Sequence, residues 1–222
     1  MEIKIDIVKM FRKTYSIGIK AIKGSIFIID WGDGQSDAFT GTGKPQRHLH
    51  DYAGYPARQE YPVRITASPD AITGIFMRDA ALIYDDIPQV QLTAIDVSQC
   101  VSLEQLALPQ FSGISELNLK GNPKLRNLSL ECHSIQSLDL SGNPRLEYMY
   151  LALCRNIEVL DLSGCPALRV LDIVGTYALE ELYLNENTAL NKVKLSSDSR
   201  RKFNPEQLMR IAMRNRTAIE YF

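Results

Sequence analysis

The side chains able to do chemistry are few and scattered. The chain has three histidines, and two of them, His48 and His50, alternate on a strand-like stretch, so they share a face. With Asp51 or Asp33 they supply part of a zinc ligand set, but no third ligand of suitable spacing follows. Asp30, Asp33 and Asp37 offer oxygens of the type calcium prefers, at a spacing unlike an EF-hand loop. Asp33-Gly34 reads more simply as a tight turn with glycine at positive φ. Gly32-x-Gly34 and Gly41-x-Gly43 precede no helical pattern, so they form no phosphate cradle. A nucleophile elbow and a zinc-protease helix are both missing from the sequence. Carboxylates are spread along the chain, and nothing places two of them in a dry pocket. The expectation is a protein without catalytic residues, metal or cofactor.

Composition narrows the class further. Of 222 residues, 45% are hydrophobic and 23% charged, as in ordinary globular domains. The 25 basic and 26 acidic residues nearly cancel, which argues against a nucleic-acid partner. The apolar run at Ile26–Ile29, like every other in the sequence, is far below the ~20 residues of a membrane span. Four cysteines are too few for a disulfide scaffold. Met1–Asp6 has no basic stretch leading into an apolar one, so no signal peptide is visible. A cytoplasmic chain and a mature secreted chain both fit.

What organises the chain is a repeat. From Leu92 onward, L-x-x-L-x-L blocks begin at Leu92, Leu103, Ile114, Leu125, Ile135, Leu146, Ile157, Leu168, Leu179 and Leu190, spaced by eleven residues and once by ten. The fourth and sixth positions are apolar throughout, as in Leu117 with Leu119 and Leu160 with Leu162. Position nine separates alternate blocks. In the odd blocks it is Cys100, Asn122, Asn143, Cys165 and Asn187, a structural column in which a buried Asn can bond the backbone of neighbouring turns. The true period is therefore about 22 residues, starting from Leu92 and ending near Arg200. Ile72-x-x-Ile75-x-Met77 reads as a degenerate unit ahead of the series, giving about six turns. At ~4.8 Å per turn the stack would be roughly 29 Å long.

The pattern L-x-x-L-x-L-x-x-N/C-x-L resembles the leucine-rich repeat. The recurring Leu-Asp-Leu-Ser-Gly followed by Asn-Pro or Cys-Pro (138–144 and 160–166) resembles the repeats of bacterial surface proteins. That resemblance implies a binding or adhesion role and an extracellular or cell-surface location. Asp96, Asn118, Asp139, Asp161 and Tyr183 stand at position five of the odd blocks, and Glu116 and Glu181 at position three. They point outward, onto the face with which such repeats usually bind partners. Tyr148 and Tyr150 point outward from an even block, as anchors for a protein or for a stacked sugar, and Val170, Asp172 and Val174 are presented by the next even block. The alternative is that the acidic column merely solvates a strand face. Cys132 and Cys154 fall one turn apart, so they are expected as close but reduced neighbours.

The two ends differ. Residues 1–70 contain strand-like alternations at Ile3-Ile5-Ile7, Tyr15-Ile17-Ile19 and Ile26-Ile28. Trp31-Gly32-Asp33-Gly34, then His50-x-Tyr52, then Tyr61-x-Val63-x-Ile65 is similar to polycystic-kidney-disease (PKD) domains, which implies a small β-sandwich. Gln59 stands where that family usually has glycine. At the far end, Phe203, Asn204, Pro205, Gln207 and Leu208 supply the staple, cap and first turn of a helix over about 205–216. The Arg and Lys residues of 198–216 read as its solvated outer face.

The expected fold is mainly β: a PKD-like β-sandwich (1–70), a short leucine-rich repeat solenoid (71–200) and a C-terminal capping helix (201–222). The expected function is non-enzymatic capture of a protein or glycan partner. An intracellular interaction scaffold and a glycan-binding accessory domain are the alternatives.

Overall fold

A computed structural model of the chain describes residues 1–9, 14–56, 59–77, 90–108, 113–131, 134–184, 187–195, 213 and 218–221. The first strands follow the alternating pattern. They are β1 (Glu2–Lys9), β2 (Thr14–Ala21), β3 (Ile26–Asp30), β4 (Ser36–Thr40), β5 (Pro45–Asp51), β6 (Glu60–Ala67), β7 (Ile72–Phe76) and β8 (Val90–Asp96). A five-stranded antiparallel sheet has the order β4-β3-β6-β1-β8. Its inward side carries Ile3, Ile5, Ile7, Phe27, Ile29, Tyr61, Val63 and Ile65, all buried. On β3 the outward pair is Ile26 and Ile28, 66% and 44% exposed. Ile17, Ile19, His48, His50, Ile72 and Ile75, from β2, β5 and β7, are buried as well.

Those three strands begin a second, nine-stranded sheet that runs through the repeats. The later strands are β9 (Gln105–Leu108), β10 (Asn127–Leu130), β11 (Tyr148–Ala152), β12 (Val159–Asp161), β13 (Val170–Val174), β14 (Glu181–Tyr183), β15 (Lys192–Leu195) and β16 (Ala218–Tyr221). The nine-stranded order is β16-β15-β13-β11-β10-β9-β7-β2-β5, and β12 pairs β14 separately. Every pairing from β7 to β16 is parallel. From β9 to β15, partners lie 21 or 22 residues apart, matching the period of the sequence. Strand β7 is antiparallel to β2 and parallel to β9, so one sheet is continuous from the N-terminal strands into the repeats.

Leucines at the inward positions of both half-turns share the core, among them Leu119, Leu128, Leu140, Leu151, Leu162 and Leu171. Each contributes about 1.5–3 kcal/mol of burial. Turn-to-turn contact on the odd side is close. A Cβ on Gly142 would lie 2.9 Å from Lys120 Cα, and one on Gly164 would lie 2.8 Å from Ser141 Cα. Only glycine permits that approach of backbone to backbone.

The solenoid has about four turns over residues 105–220, not six. The Leu92 block is the first of the odd column, where its Val97 and Cys100 carbonyls accept from Asn122 of the next odd block, and it has a second pairing that the repeat pattern did not indicate. As β8 it pairs antiparallel with β1, whose outer edge would otherwise leave a row of unpaired backbone groups. In the repeats the regular sheet is built from the even blocks, whereas the odd blocks after the Leu92 block form only the short β12–β14 pair among the described residues. The chain also ends in an unexpected strand, β16, at the edge of the nine-stranded sheet. The capping helix read at 205–216 and its basic face lie outside the described residues, apart from Met213, which is helical and exposed. Cys132 lies outside them too, so its distance to Cys154 is not defined.

Candidate functional site

Four of the five odd half-turns are bracketed by a side-chain bond at position five; the last carries Tyr183 there. Asp96 Oδ1 accepts from the Ser98 amide at 2.9 Å, Asn118 Oδ1 from Lys120 at 3.1 Å, Asp139 Oδ1 from Ser141 at 3.0 Å and Asp161 Oδ1 from Ser163 at 2.8 Å. These are Asx turns that close the corner before position nine. The bonds from Ser98 and Ser163 hold the Asp96 and Asp161 carboxyls below the usual range. Asp139 is held lower still, first by Lys120, whose Nζ stands 2.8 Å away, and then by the Ser141 hydroxyl and amide. The acidic column is thus first of all a column of turn braces.

Position nine lies inside the corner. Asn122 Nδ2 donates to the carbonyls of Val97 and Cys100, both at 2.9 Å. Asn143 Nδ2 donates to Leu119 and Asn122, both at 3.0 Å. Asn187 Nδ2 reaches Leu162 at 2.8 Å and Cys165 at 2.6 Å. Where the column has cysteine, the thiol sits near one carbonyl of the preceding turn: Cys100 Sγ is 3.5 Å from Ile72 O, and Cys165 Sγ is 3.7 Å from Leu140 O. Burial pushes both thiols up to about 12. Cys100, Cys154 and Cys165 are free and buried.

Position three is less committed. Glu116, Ser137 and Val159 are exposed and make no hydrogen bond or ion pair among the described residues. Glu181 is engaged, accepting from the Tyr183 hydroxyl at 2.6 Å. Two clefts open beside these residues. One, of about 390 Å³, is lined by Asp96, Glu116, Asn118 and their neighbours. The other, of about 660 Å³, is lined by Gln136, Ser137, Arg155, Glu158, Val159 and Ala178 among others.

Tyr148 and Tyr150 do not join this arrangement. They stand on β11 in the nine-stranded sheet, while Asp161 and Tyr183 belong to the separate β12–β14 pair. In register with them the sheet carries Val170 and Asp172 on β13, Lys192 and Lys194 on β15, and Ala218 and Glu220 on β16. Lys194 Nζ lies 3.3 Å from Asp172 Oδ2, and Lys192 Nζ lies 2.9 Å from Glu220 Oε1. At the corner of each turn a second ladder alternates in sign, with Glu147 between Arg126 at 2.6 Å and Arg169 at 3.9 Å. Sequence reading placed Asp172 outward but overlooked its lysine partner and the other charges. Their signal was there, as charged residues at outward positions recurring every 21 or 22 residues, but the leucine pattern drew attention to the core.

The histidines and aspartates near the N-terminus hold the two sheets together. His50 stacks on Trp31 with ring centroids 4.7 Å apart, and its Nε2 meets Asp33 Oδ2 at 2.8 Å. Tyr52 donates to Trp31 O at 2.7 Å, and Trp31 Nε1 donates to Asp37 Oδ2 at 2.8 Å. Burial works against ionisation of Asp33, but bonds from His50 and the Gln35 amide outweigh it and keep the carboxyl low. His48 packs against Phe39 at 4.1 Å and Phe27 at 5.3 Å, and burial lowers its pKa. Asp30 Oδ1 caps the turn by accepting from the Gly32 amide at 2.9 Å. Among the described residues, no group of three or more His, Cys, Asp or Glu is placed to hold a metal ion.

A stack of parallel strands at a fixed 21- or 22-residue register, with one shared core and outward rows of polar side chains, defines a β-solenoid repeat protein. No family model and no curated protein matches the chain. Among solved structures it is similar to the functional domain of InlJ from Listeria monocytogenes, a structure that includes a cysteine ladder, with 25% identity and a TM-score of 0.37. The match covers 47% of this chain and 27% of that one, so the chain spans about a quarter of that protein's length. No helix among the described residues is long and apolar enough to cross a membrane.

Proposed function

We propose that the chain is a non-enzymatic binding module that recognises a protein partner through the odd side of its repeats. The observation that carries this is the row of uncommitted position-three side chains, Glu116, Ser137 and Val159, beside clefts of about 390 and 660 Å³. Asp96, Asn118, Asp139 and Asp161 flank that row and add acidic character, and Glu181 with Tyr183 closes its far end. Braced turns hold these groups in fixed relation, which lowers the ordering cost of binding. The leucine-rich resemblance of the repeats and the bacterial-surface character of Leu-Asp-Leu-Ser-Gly support an adhesive role outside the cell. The N-terminal strands are read as a PKD-like β-sandwich that covers the first turn, a reading supported by the mutual packing of Trp31, His50, Tyr52 and Tyr61.

Because Asp139 and Asp161 brace turns, reversing their charge confuses binding with folding. Val159→Arg is the cleaner test. Labelled protein is screened on an array of bacterial and host surface proteins, and the variant is then titrated against the best ligand. A loss of about tenfold or more is expected; unchanged affinity would move the site off this face. Protease shaving of intact source cells tests location separately. Release of these peptides without lysis is expected, and protection until lysis would favour an intracellular scaffold.

A further inference from the structure

The nine-stranded sheet carries an anomaly on its outward side. Asp172 alternates with the core residues Leu171 and Ile173, so it faces away from the core, yet it is only 8% exposed. Its Oδ2 meets Lys194 Nζ at 3.3 Å, but Oδ1 is buried with no hydrogen-bond partner. A buried, half-paired carboxylate is costly, and an apolar residue would serve a purely structural role at this position better. In register beside it on β11 stands Tyr150, and Tyr148, 38% exposed, lies two residues along the same outward face.

We propose that Asp172, Lys194 and Tyr148 form a binding site for a neutral saccharide, with a sugar hydroxyl donating to Asp172 Oδ1 while accepting from Lys194 Nζ and the sugar ring stacked on Tyr148. The charge balance selects this ligand. Asp172 and Lys194 cancel, as do Lys192 and Glu220 at 2.9 Å. An anionic ligand brings a like charge against the Asp172 carboxylate. A cationic one brings an uncompensated charge next to two lysines. A hydroxyl is both donor and acceptor and so satisfies both partners at once. In this proposal the Lys194 side chain, 35% exposed, shifts to admit the hydroxyl and then donates to it. The site lies on a different sheet from the odd-side clefts, and it extends the binding reading to a second class of ligand.

The test uses the whole chain on an array of neutral hexasaccharides (β-glucan, mannan and galactan), with a sulfated hexasaccharide and hexalysine as charged controls. Binding to a neutral hexasaccharide is expected. Asp172→Asn and Tyr148→Ala should each weaken it about tenfold or more. Asp172→Leu should abolish it while leaving the thermal midpoint unchanged or raised, a result that a structural carboxylate would not give. If Asp172→Leu fails to fold, Asp172→Asn decides. The proposal is overturned if no neutral hexasaccharide binds, if a charged control binds better, or if Asp172→Asn binds as well as the parent. The odd-side reading is tested by Val159→Arg against a protein ligand, so either reading can fail without the other.

Discussion

Asn143 is the residue on which the stacking argument is easiest to break. Its Nδ2 donates to the carbonyls of Leu119 and Asn122, each at 3.0 Å, and the side chain is fully buried. Replacing it with alanine takes one of two donors from each carbonyl, because Leu119 O also accepts from Asn122 N at 3.0 Å and Asn122 O from Leu125 N at 3.1 Å. Each lost bond costs about 0.5–1.5 kcal/mol, so Asn143→Ala should lose about 1–3 kcal/mol. Against a total stability of about 5–15 kcal/mol that is a sizeable share, equivalent to a drop on the order of 2–12 °C in a chain of this size. The chain itself shows the graded control, since Cys100 and Cys165 occupy the same position with a weak thiol contact to one carbonyl. Asn143→Cys should therefore lie between the parent and the alanine variant. Asn143→Asp should be worst, because an ionised carboxylate has no donor to give and turns a negative oxygen toward two carbonyls. The assay is equilibrium urea unfolding, with the slope checked for constancy because solenoids can unfold in parts. A loss below about 1 kcal/mol for Asn143→Ala, or an aspartate variant as stable as the cysteine one, would refute the ladder as the source of turn-to-turn cohesion.

Other perturbations have equally definite outcomes. Gly142→Val forces a side chain against the Lys120 backbone and should cost at least about 1–3 kcal/mol in the same unfolding assay. Gly34→Ala, at φ 90° with nothing within 4 Å, should cost only the backbone strain of about 1–2 kcal/mol. His48 has a folded pKa below its ordinary 6.5, so the unfolded chain binds its proton first. Stability should fall as pH drops below 6.5 and level off once the folded form also titrates; thermal midpoints of His48→Phe across this range should lack that slope. Asp33, Asp96 and Asp161 are depressed below 3.8, so their contribution is present above that value and is lost as pH falls through the folded pKa. Asp33→Asn should flatten this acid limb in the same measurement. Cys100 and Cys165, with thiols near 12, should resist iodoacetamide at pH 8 until the protein is unfolded, as mass spectrometry of the labelled peptides would show.

How much of this was legible depends on what each residue answers to. The inward leucines and the position-nine column were readable because burial and backbone satisfaction impose a fixed spacing. Trp31, His50, Tyr52 and Tyr61 were readable as an ordered motif, although nothing in their spacing reveals that His50 stacks on Trp31. The Leu92 block was legible as a repeat but not as an edge strand. Its apolar pattern is satisfied by a solenoid turn and by an antiparallel edge alike, and here it serves as both, stacked under Asn122 and paired with β1. Periodicity likewise could not say which half-turn forms the regular sheet, because Leu160 and Leu171 are buried alike on both sides. Asp172 was visible as an outward residue, but its burial and half-pairing are tertiary facts.

The two sides of the solenoid divide their work between cohesion and recognition. On the odd side, asparagine, glycine and the Asx bonds of Asp139 and Asp161 join or close the turns, so the most conspicuous residues there have little freedom to serve a ligand. What is free is the quieter row at position three. On the even side, the backbone ladder from β9 to β16 already joins the turns. Outward side chains there are released from structural duty. A buried charge such as Asp172, which adds nothing the ladder needs, is therefore better explained by something it binds. The same logic predicts an asymmetry under mutation: odd-side position-five variants should lose stability before affinity, and even-side outward variants affinity before stability. Paired measurements of unfolding midpoint and ligand affinity across Asp161→Ala and Asp172→Asn would expose it, and equal effects on both quantities in both variants would remove the distinction.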